Sequence, residues 1–300
     1  MNTSTGRTIV KIVVLAVIAV ALIAAALACF RMKPGKTGNE PLETTTYEIG
    51  ERFDSLSLHI GAADVVLAPS EDGGCRVVCH DRKSVQYTAE VRGGVLTVET
   101  KDSGKLINTV SMERAQVTVY LTESAYTALK ISVGAGDVEL PQDFTFQQAE
   151  LSVDAGNVRC AAPVVQTLRI DNSVGSVQVS DCTVGALETD GSAGRVTLSS
   201  VNCGSLHIGG STGSVRLEHV TAEMDMRIER STGDITLDDC DAGEIFISTD
   251  TGDVTASLRS GKLFTAESDT GKVSVPSSEA GGRCEISTDT GDITVTVPAG

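Results

Sequence analysis

Ile228–Leu237 reads IERSTGDITL, Ile247–Ala256 reads ISTDTGDVTA and Ile286–Val295 reads ISTDTGDITV. Each runs from an apolar–polar alternation through a glycine turn into a second alternation. Working outward from these three, the same glycine recurs at Gly136, Gly156, Gly175, Gly194, Gly213, Gly233, Gly252, Gly271 and Gly291, always 19 or 20 residues apart. Two residues later stands valine or isoleucine without exception, from Val138 to Ile293. Four residues later the side chain is always apolar, from Leu140 to Val295. Seven and five residues before the glycine the positions are mostly apolar too, as in Leu129/Ile131, Leu206/Ile208 and Cys284/Ile286. The unit therefore predicts a period-2 strand, a polar turn centred on glycine and a second period-2 strand.

A unit this short cannot bury its apolar edge alone, so the units must stack. An antiparallel sandwich would not hold one turn register of 19–20 residues. The predicted fold is all-β, a single-strand, parallel β-helix-like solenoid with 19–20 residues per coil over residues 129–300. At about 4.8 Å per coil, nine coils make a rod on the order of 40 Å long. One more unit lies upstream, where Leu56, Leu58 and Ile60 precede Ala63 and Val65 and Leu67 follow it. Residues 68–128 break the period. Gly93-Gly94 there predicts a hairpin, and Val117–Leu121 a strand. Residues 47–128 thus read as a first coil plus a capping-sheet insert at the membrane-proximal end of the solenoid.

The 300 residues carry a net charge of −16 with 3% aromatics and no tryptophan. Residues 1–36 hold five of the 24 cations (Arg7, Lys11, Arg31, Lys33, Lys36) and no acid, which leaves 19 cations against 40 anions, or −21, on the remainder. Such a body is repelled by nucleic-acid phosphate and by anionic lipid, and no nucleic-acid partner is expected.

After a tail of residues 1–11, residues 12–30 form an uncharged apolar run between Lys11 and Arg31. As a helix it covers roughly 28 Å, the thickness of a bilayer core. An uncleaved single-span anchor is the plain reading. The competing ones are signal-peptide cleavage after Ala28 and lipidation of Cys29. Residues 31–46, with Pro34, Gly35, Gly38 and Pro41, read as a linker. A short tail before the span and a large body after it place residues 31–300 outside the cytoplasm in a single-pass membrane protein.

Eight cysteines invite a disulfide or metal reading. Cys160 and Cys284 occupy apolar slots of the repeat, and Cys182 and Cys240 stand where Val201 and Val220 do. Cys75 and Cys79 lie about 13 Å apart along one strand face, too far to bridge. No C-x-x-C is present, and His59, His80, His207 and His219 have no ligand spacing to the cysteines. The thiols read as core filler.

Asp250-Thr251-Gly252, Asp269-Thr270-Gly271 and Asp289-Thr290-Gly291 each spell the aspartic-protease triplet. That enzyme needs two carboxylates in one cleft, whereas these recur at coil spacing and become Ser-Thr-Gly at 211–213 and 231–233. Turn capping accounts for them. A calcium ladder of Asp250, Asp253, Asp269, Asp289 and Asp292 is the sharper alternative, with Lys272 interrupting it between Asp253 and Asp292. The plainer expectation is a solvated acidic edge. No catalytic residue, no cofactor and no metal site is therefore assigned, and the nine glycines are read as structural turn residues. A phosphate loop, a nucleophile elbow and a dinucleotide fingerprint are all absent.

The repeat spelling, behind one apolar segment, resembles the bacterial "putative adhesin" β-strand-repeat family of unassigned function, over roughly residues 50–300. The resemblance implies a non-enzymatic, envelope-associated module, often near envelope-stress regulation, and brings no functional residues with it. The expected function is a membrane-anchored interaction module, adhesion-like or a scaffold associated with envelope stress, with a protein or glycan envelope partner. The alternatives are a carbohydrate-active β-helix enzyme acting on envelope polysaccharide, and a homo-oligomeric scaffold assembling through solenoid ends. The C-terminal unit, ending Val295-Thr296-Val297-Pro298, is expected to be the exposed last coil.

Overall fold

The computed structural model describes residues 41–101, 114–277 and 280–298, and all their regular structure is β. The expected tail 1–11, the apolar span 12–30 with Cys29, and the linker up to residue 40 lie outside the described residues. Among the described residues no helix is long and apolar enough to cross a membrane. Residues 42–46, read from sequence as the close of the linker, instead belong to strand β1 (Leu42–Ile49).

Six strands follow before the regular repeats: β2 (Ser55–Ala62), β3 (Asp64–Pro69), β4 (Cys75–Arg82), β5 (Gln86–Arg92), β6 (Val95–Lys101) and β7 (Gln116–Leu121). The repeats supply β8 (Ala125–Ala135), β9 (Val138–Leu140), β10 (Thr145–Ala155), β11 (Val158–Cys160), β12 (Val164–Val174), β13 (Val177–Ala193), β14 (Val196–Ile208), β15 (Val215–Glu218) and β16 (Thr221–Thr232). The last six are β17 (Ile235–Thr251), β18 (Val254–Leu258), β19 (Leu263–Thr270), β20 (Val273–Ser274), β21 (Arg283–Thr290) and β22 (Ile293–Thr296). Through the middle of the stack the coils pair in parallel and in sequence order. One ladder runs β8, β10, β12, β13, β14, β16, β17, and another runs β9, β11, β13, β14, β15, β17, β18.

Each coil has three straight runs rather than the two expected. In β13 the inward side chains are Val177, Val179, Cys182, Val184, Leu187 and Thr189, so the period-2 alternation slips by one residue twice. The first slip is a corner at Asp181, Ser200, His219 and Asp239 in successive coils, all left-handed with φ of 52–56°. Asp and His are among the non-glycine residues that adopt that conformation most readily, in keeping with three of the four residues at this corner. The second is a bulge where register shifts, as between Val164 and Thr167 or Cys203 and Leu206.

The third corner is the repeating glycine. Gly233 has φ +141°, and a Cβ on it would lie 2.3 Å from the carbonyl oxygen of Gly213 in the coil beneath. The turns are stacked so closely that each backbone occupies the space a side chain would need. The amide of Gly233 donates to the Thr251 carbonyl and that of Ile235 to the Asp253 carbonyl, both at 2.9 Å, so the turn itself continues the parallel ladder.

At both ends the stack departs from sequence order. β2 lies between β6 and β8, and β3 between β7 and β9. The outermost coil is thus formed by β6 and β7, where Leu96 aligns with Leu56 and Val117 with Val65 in the same inward slots. Part of the insert expected to be a separate cap is therefore solenoid. The cap proper is β5 antiparallel to β6, β4 antiparallel to β7, and β1 antiparallel to β4. At the other end, β21 lies between β17 and β19, and β22 between β18 and β20. The C-terminal unit, expected to be the exposed last coil, is covered on both sides. The end coil is β19–β20, where Leu263 and Val273 are 48% and 43% exposed and Phe264 and Ala266 are only partly buried.

Candidate interaction surface

The aspartates of the proposed ladder fall into two columns with different roles. Asp253 and Asp292 stand one residue after the turn glycine. There the side chain accepts from the backbone of the next coil: Asp253 N–H donates to Asp234 Oδ1 at 3.0 Å, Asp292 N–H to Asp253 Oδ1 at 2.8 Å, and Lys272 N–H to Asp292 Oδ1 at 2.8 Å. The same relay runs at the other end through Asp64, Asp137, Asn157 and Ser176. Burial pushes the Asp137 carboxyl up, but hydrogen bonds from Asn157 and the nearby Arg114 and Arg159 outweigh it and hold it below its ordinary range. Lys272 does not interrupt the column between Asp253 and Asp292. Because the last two coils are exchanged, Asp292 abuts Asp253 directly and Lys272 stands outermost.

Asp250, Asp289 and Asp269, in that spatial order, stand two residues before the glycine and are exposed. Among the described residues no three His, Cys, Asp or Glu side chains are grouped closely enough to hold a metal ion. The three D-T-G triplets lie along one edge of the rod rather than across a cleft. Their threonines continue a column of Thr212, Thr232, Thr251, Thr290 and Thr270, paired in register and all exposed. Beside it runs Ser211, Ser231, Asp250, Asp289 and Asp269. Successive coils set these hydroxyls and carboxylates about 4.8 Å apart on a backbone already fixed by its own hydrogen bonds.

The seven described cysteines are buried and free. Burial raises the thiol of Cys160 to about 12, Cys284 to about 12 and Cys182 to about 11. Raised thiols are poor nucleophiles and poor metal ligands. In the cap, Tyr87 donates to the buried Asp81 carboxylate and Tyr47 donates to the Tyr87 carbonyl at 2.9 Å, which ties β1, β4 and β5 together. Lys262, 5% exposed, reaches Asp241 at 2.7 Å and the Ala242 carbonyl at 2.6 Å and locks a corner of the C-terminal coils.

A groove of about 410 Å³ crosses the outer face of β16, β17, β21 and β19. At its centre is Phe246, an outward-facing aromatic. Arg227 and Arg283 each lie 6.0 Å from its ring centroid. Each arginine is paired to the glutamate two residues on, Arg227 to Glu229 at 2.6 Å and Arg283 to Glu285 at 3.4 Å. The Arg227 hydrogen bond holds the Glu229 carboxyl below its ordinary range. Ser287 Oγ and Ser248 Oγ are 3.2 Å apart on the same floor. Sequence reading missed this cluster. Its residues are 60 positions apart at the extremes, from Arg227 to Ser287, and the coil carrying Arg283 and Glu285 stacks out of order.

The family model described as "Toastrack DUF4097" matches residues 53–296. No curated protein matches the chain. Among solved structures, a "putative adhesin" from Bacteroides fragilis NCTC 9343 is 14% identical, with 88% of this chain and 100% of that chain covered and a TM-score of 0.45. A "putative adhesin" from Parabacteroides distasonis ATCC 8503 is 14% identical over 87% and 96% of the two chains, with a TM-score of 0.44. A "putative lipid binding protein" from the same organism is 16% identical over 87% and 97%, with a TM-score of 0.36. Likenesses this distant transfer no function.

Proposed function

The chain belongs to the Toastrack DUF4097 family, and on that premise we propose that it is a non-enzymatic, membrane-anchored module that holds an envelope component against the outside of its solenoid. The observation that carries this reading is the edge column from Thr212 to Thr270 with its Ser/Asp companion. It is a long, exposed, regularly spaced polar surface on a rigid parallel backbone. Rigid repeats bind without paying to order a loop, which suits an extended partner. The apolar run 12–30 supplies the anchor and leaves the rod outside the cytoplasm.

Photo-crosslinking tests this in the full chain in its own membrane. A crosslinker at Thr251 gives a discrete adduct if the edge is occupied; no adduct from Thr251, Thr290 or Thr232 overturns the reading. New reducing ends from envelope polysaccharides incubated with the protein would favour an enzyme instead. A second reading, self-assembly, draws support from the exposure of Leu263 and Val273 on the end coil. Light scattering across concentration checks it, with a strictly monomeric species counting against it.

A further inference from the structure

We propose that the groove around Phe246 binds the pyranose ring of a neutral glycan. The inference deepens the reading of the protein as an interaction module and rests on it. Phe246, partly buried on an otherwise polar sheet face, is an apolar platform of one ring's size. The C–H face of a sugar packs against such a ring, while its hydroxyls need donors and acceptors around the rim. The rim supplies both: Arg227 and Arg283 donate, Glu229 and Glu285 accept, and Ser248 and Ser287 do either.

Charge decides which class of glycan fits. Each arginine is already neutralised by its own glutamate, and Glu267 also lines the groove, so an acidic sugar would meet repulsion with no free cation to offset it. The acidic body, at −21 after residue 36, acts in the same direction over longer range. A peptide adding as a strand has no purchase on β16, β17 or β21, which lie mid-ladder with both edges paired; the unpaired outer edge of β19 is two strands away from Phe246.

The test uses the full chain in a zwitterionic, sugar-free detergent, probed with maltohexaose, cellohexaose and chitohexaose, and with polygalacturonate as the acidic comparison, by saturation-transfer NMR. At least one of the three binds, Phe246→Ala weakens it by about tenfold or more, and Phe246→Tyr keeps it, because the ring is retained. Arg227→Ala, a change on the solvent side that leaves the core intact, also weakens binding. Failure of all three sugars, binding untouched by Phe246→Ala and Arg227→Ala, or binding confined to polygalacturonate would overturn the proposal. If the sugars fail while the Thr251 adduct persists, the glycan site falls and the interaction module stands.

Discussion

The amide of Asp292 donates to Oδ1 of Asp253 at 2.8 Å, across 39 positions of sequence. The last coil of the chain therefore rests on the coil two units before it, and the intervening unit is displaced to the end of the rod. An equivalent exchange at the other end puts β2–β3 inside β6–β7. In both cases the terminal coil is clamped between two coils of which only one is its neighbour in sequence.

Clamping sets a pattern of local stability. β21 and β22 are paired on both sides, whereas β19 and β20 are paired only through them. Hydrogen exchange is expected to show slower exchange at Ile286 and Ile293 than at Ala266 and Val273, although the former lie nearer the C-terminus. The reverse order of protection would mean the coils stack in sequence order in solution.

Gly233→Val is expected to destabilise the protein by about 3 kcal/mol or more, or to prevent folding. It combines a positive φ with a Cβ 2.3 Å from the Gly213 carbonyl oxygen. Gly50→Ala is the matched control, since nothing lies within 4 Å of its added Cβ. Thermal melts of the two variants decide the matter, and equal midpoints would refute the stacked turn.

Asp253→Asn keeps an acceptor for the Asp292 amide and is expected to be nearly neutral, whereas Asp253→Ala leaves that amide unpaired and costs about 1 kcal/mol. Millimolar Ca²⁺ is expected to move the melting point no further than another salt of equal ionic strength. A calcium-specific rise abolished by Asp253→Asn would show that the column holds metal after all.

The buried thiols give an alkaline limit. Burial raises Cys160 from 9.0 to about 12 and Cys182 to about 11. In the unfolded chain the thiols ionise from about pH 9, while the folded chain keeps its protons. The stability they contribute is complete below pH 9 and is lost as pH climbs toward 12. Cys182→Val, which matches the adjacent Val201, should soften that fall. In a Cys29→Ser variant at pH 8, a thiol-reactive disulfide reagent should label nothing until the protein unfolds; rapid labelling of the native state would refute the burial.

The repeating glycines, the valine or isoleucine two residues beyond, and the cysteines in apolar slots determine by themselves that the chain forms a parallel solenoid. Each is a local requirement, either a backbone with no room for Cβ or a side chain pointing inward, and local requirements are written residue by residue. The left-handed corners at Asp181 and His219 fall in the same class but carry no glycine to mark them, so a three-sided coil read as two strands. The order of the end coils was decided by tertiary structure alone. Every coil presents the same edge of N–H and C=O groups and the same inward slots, so 284–295 fits on 245–256 as well as 264–275 would. The periodic pattern cannot rank those two stackings, because the difference lies in contacts that exist only once the whole end is built, among them Lys262 with Asp241 and Ser268 Oγ donating to the Gly291 carbonyl. The cluster of Arg227, Phe246 and Arg283 follows from that choice and has no signature of its own in the sequence.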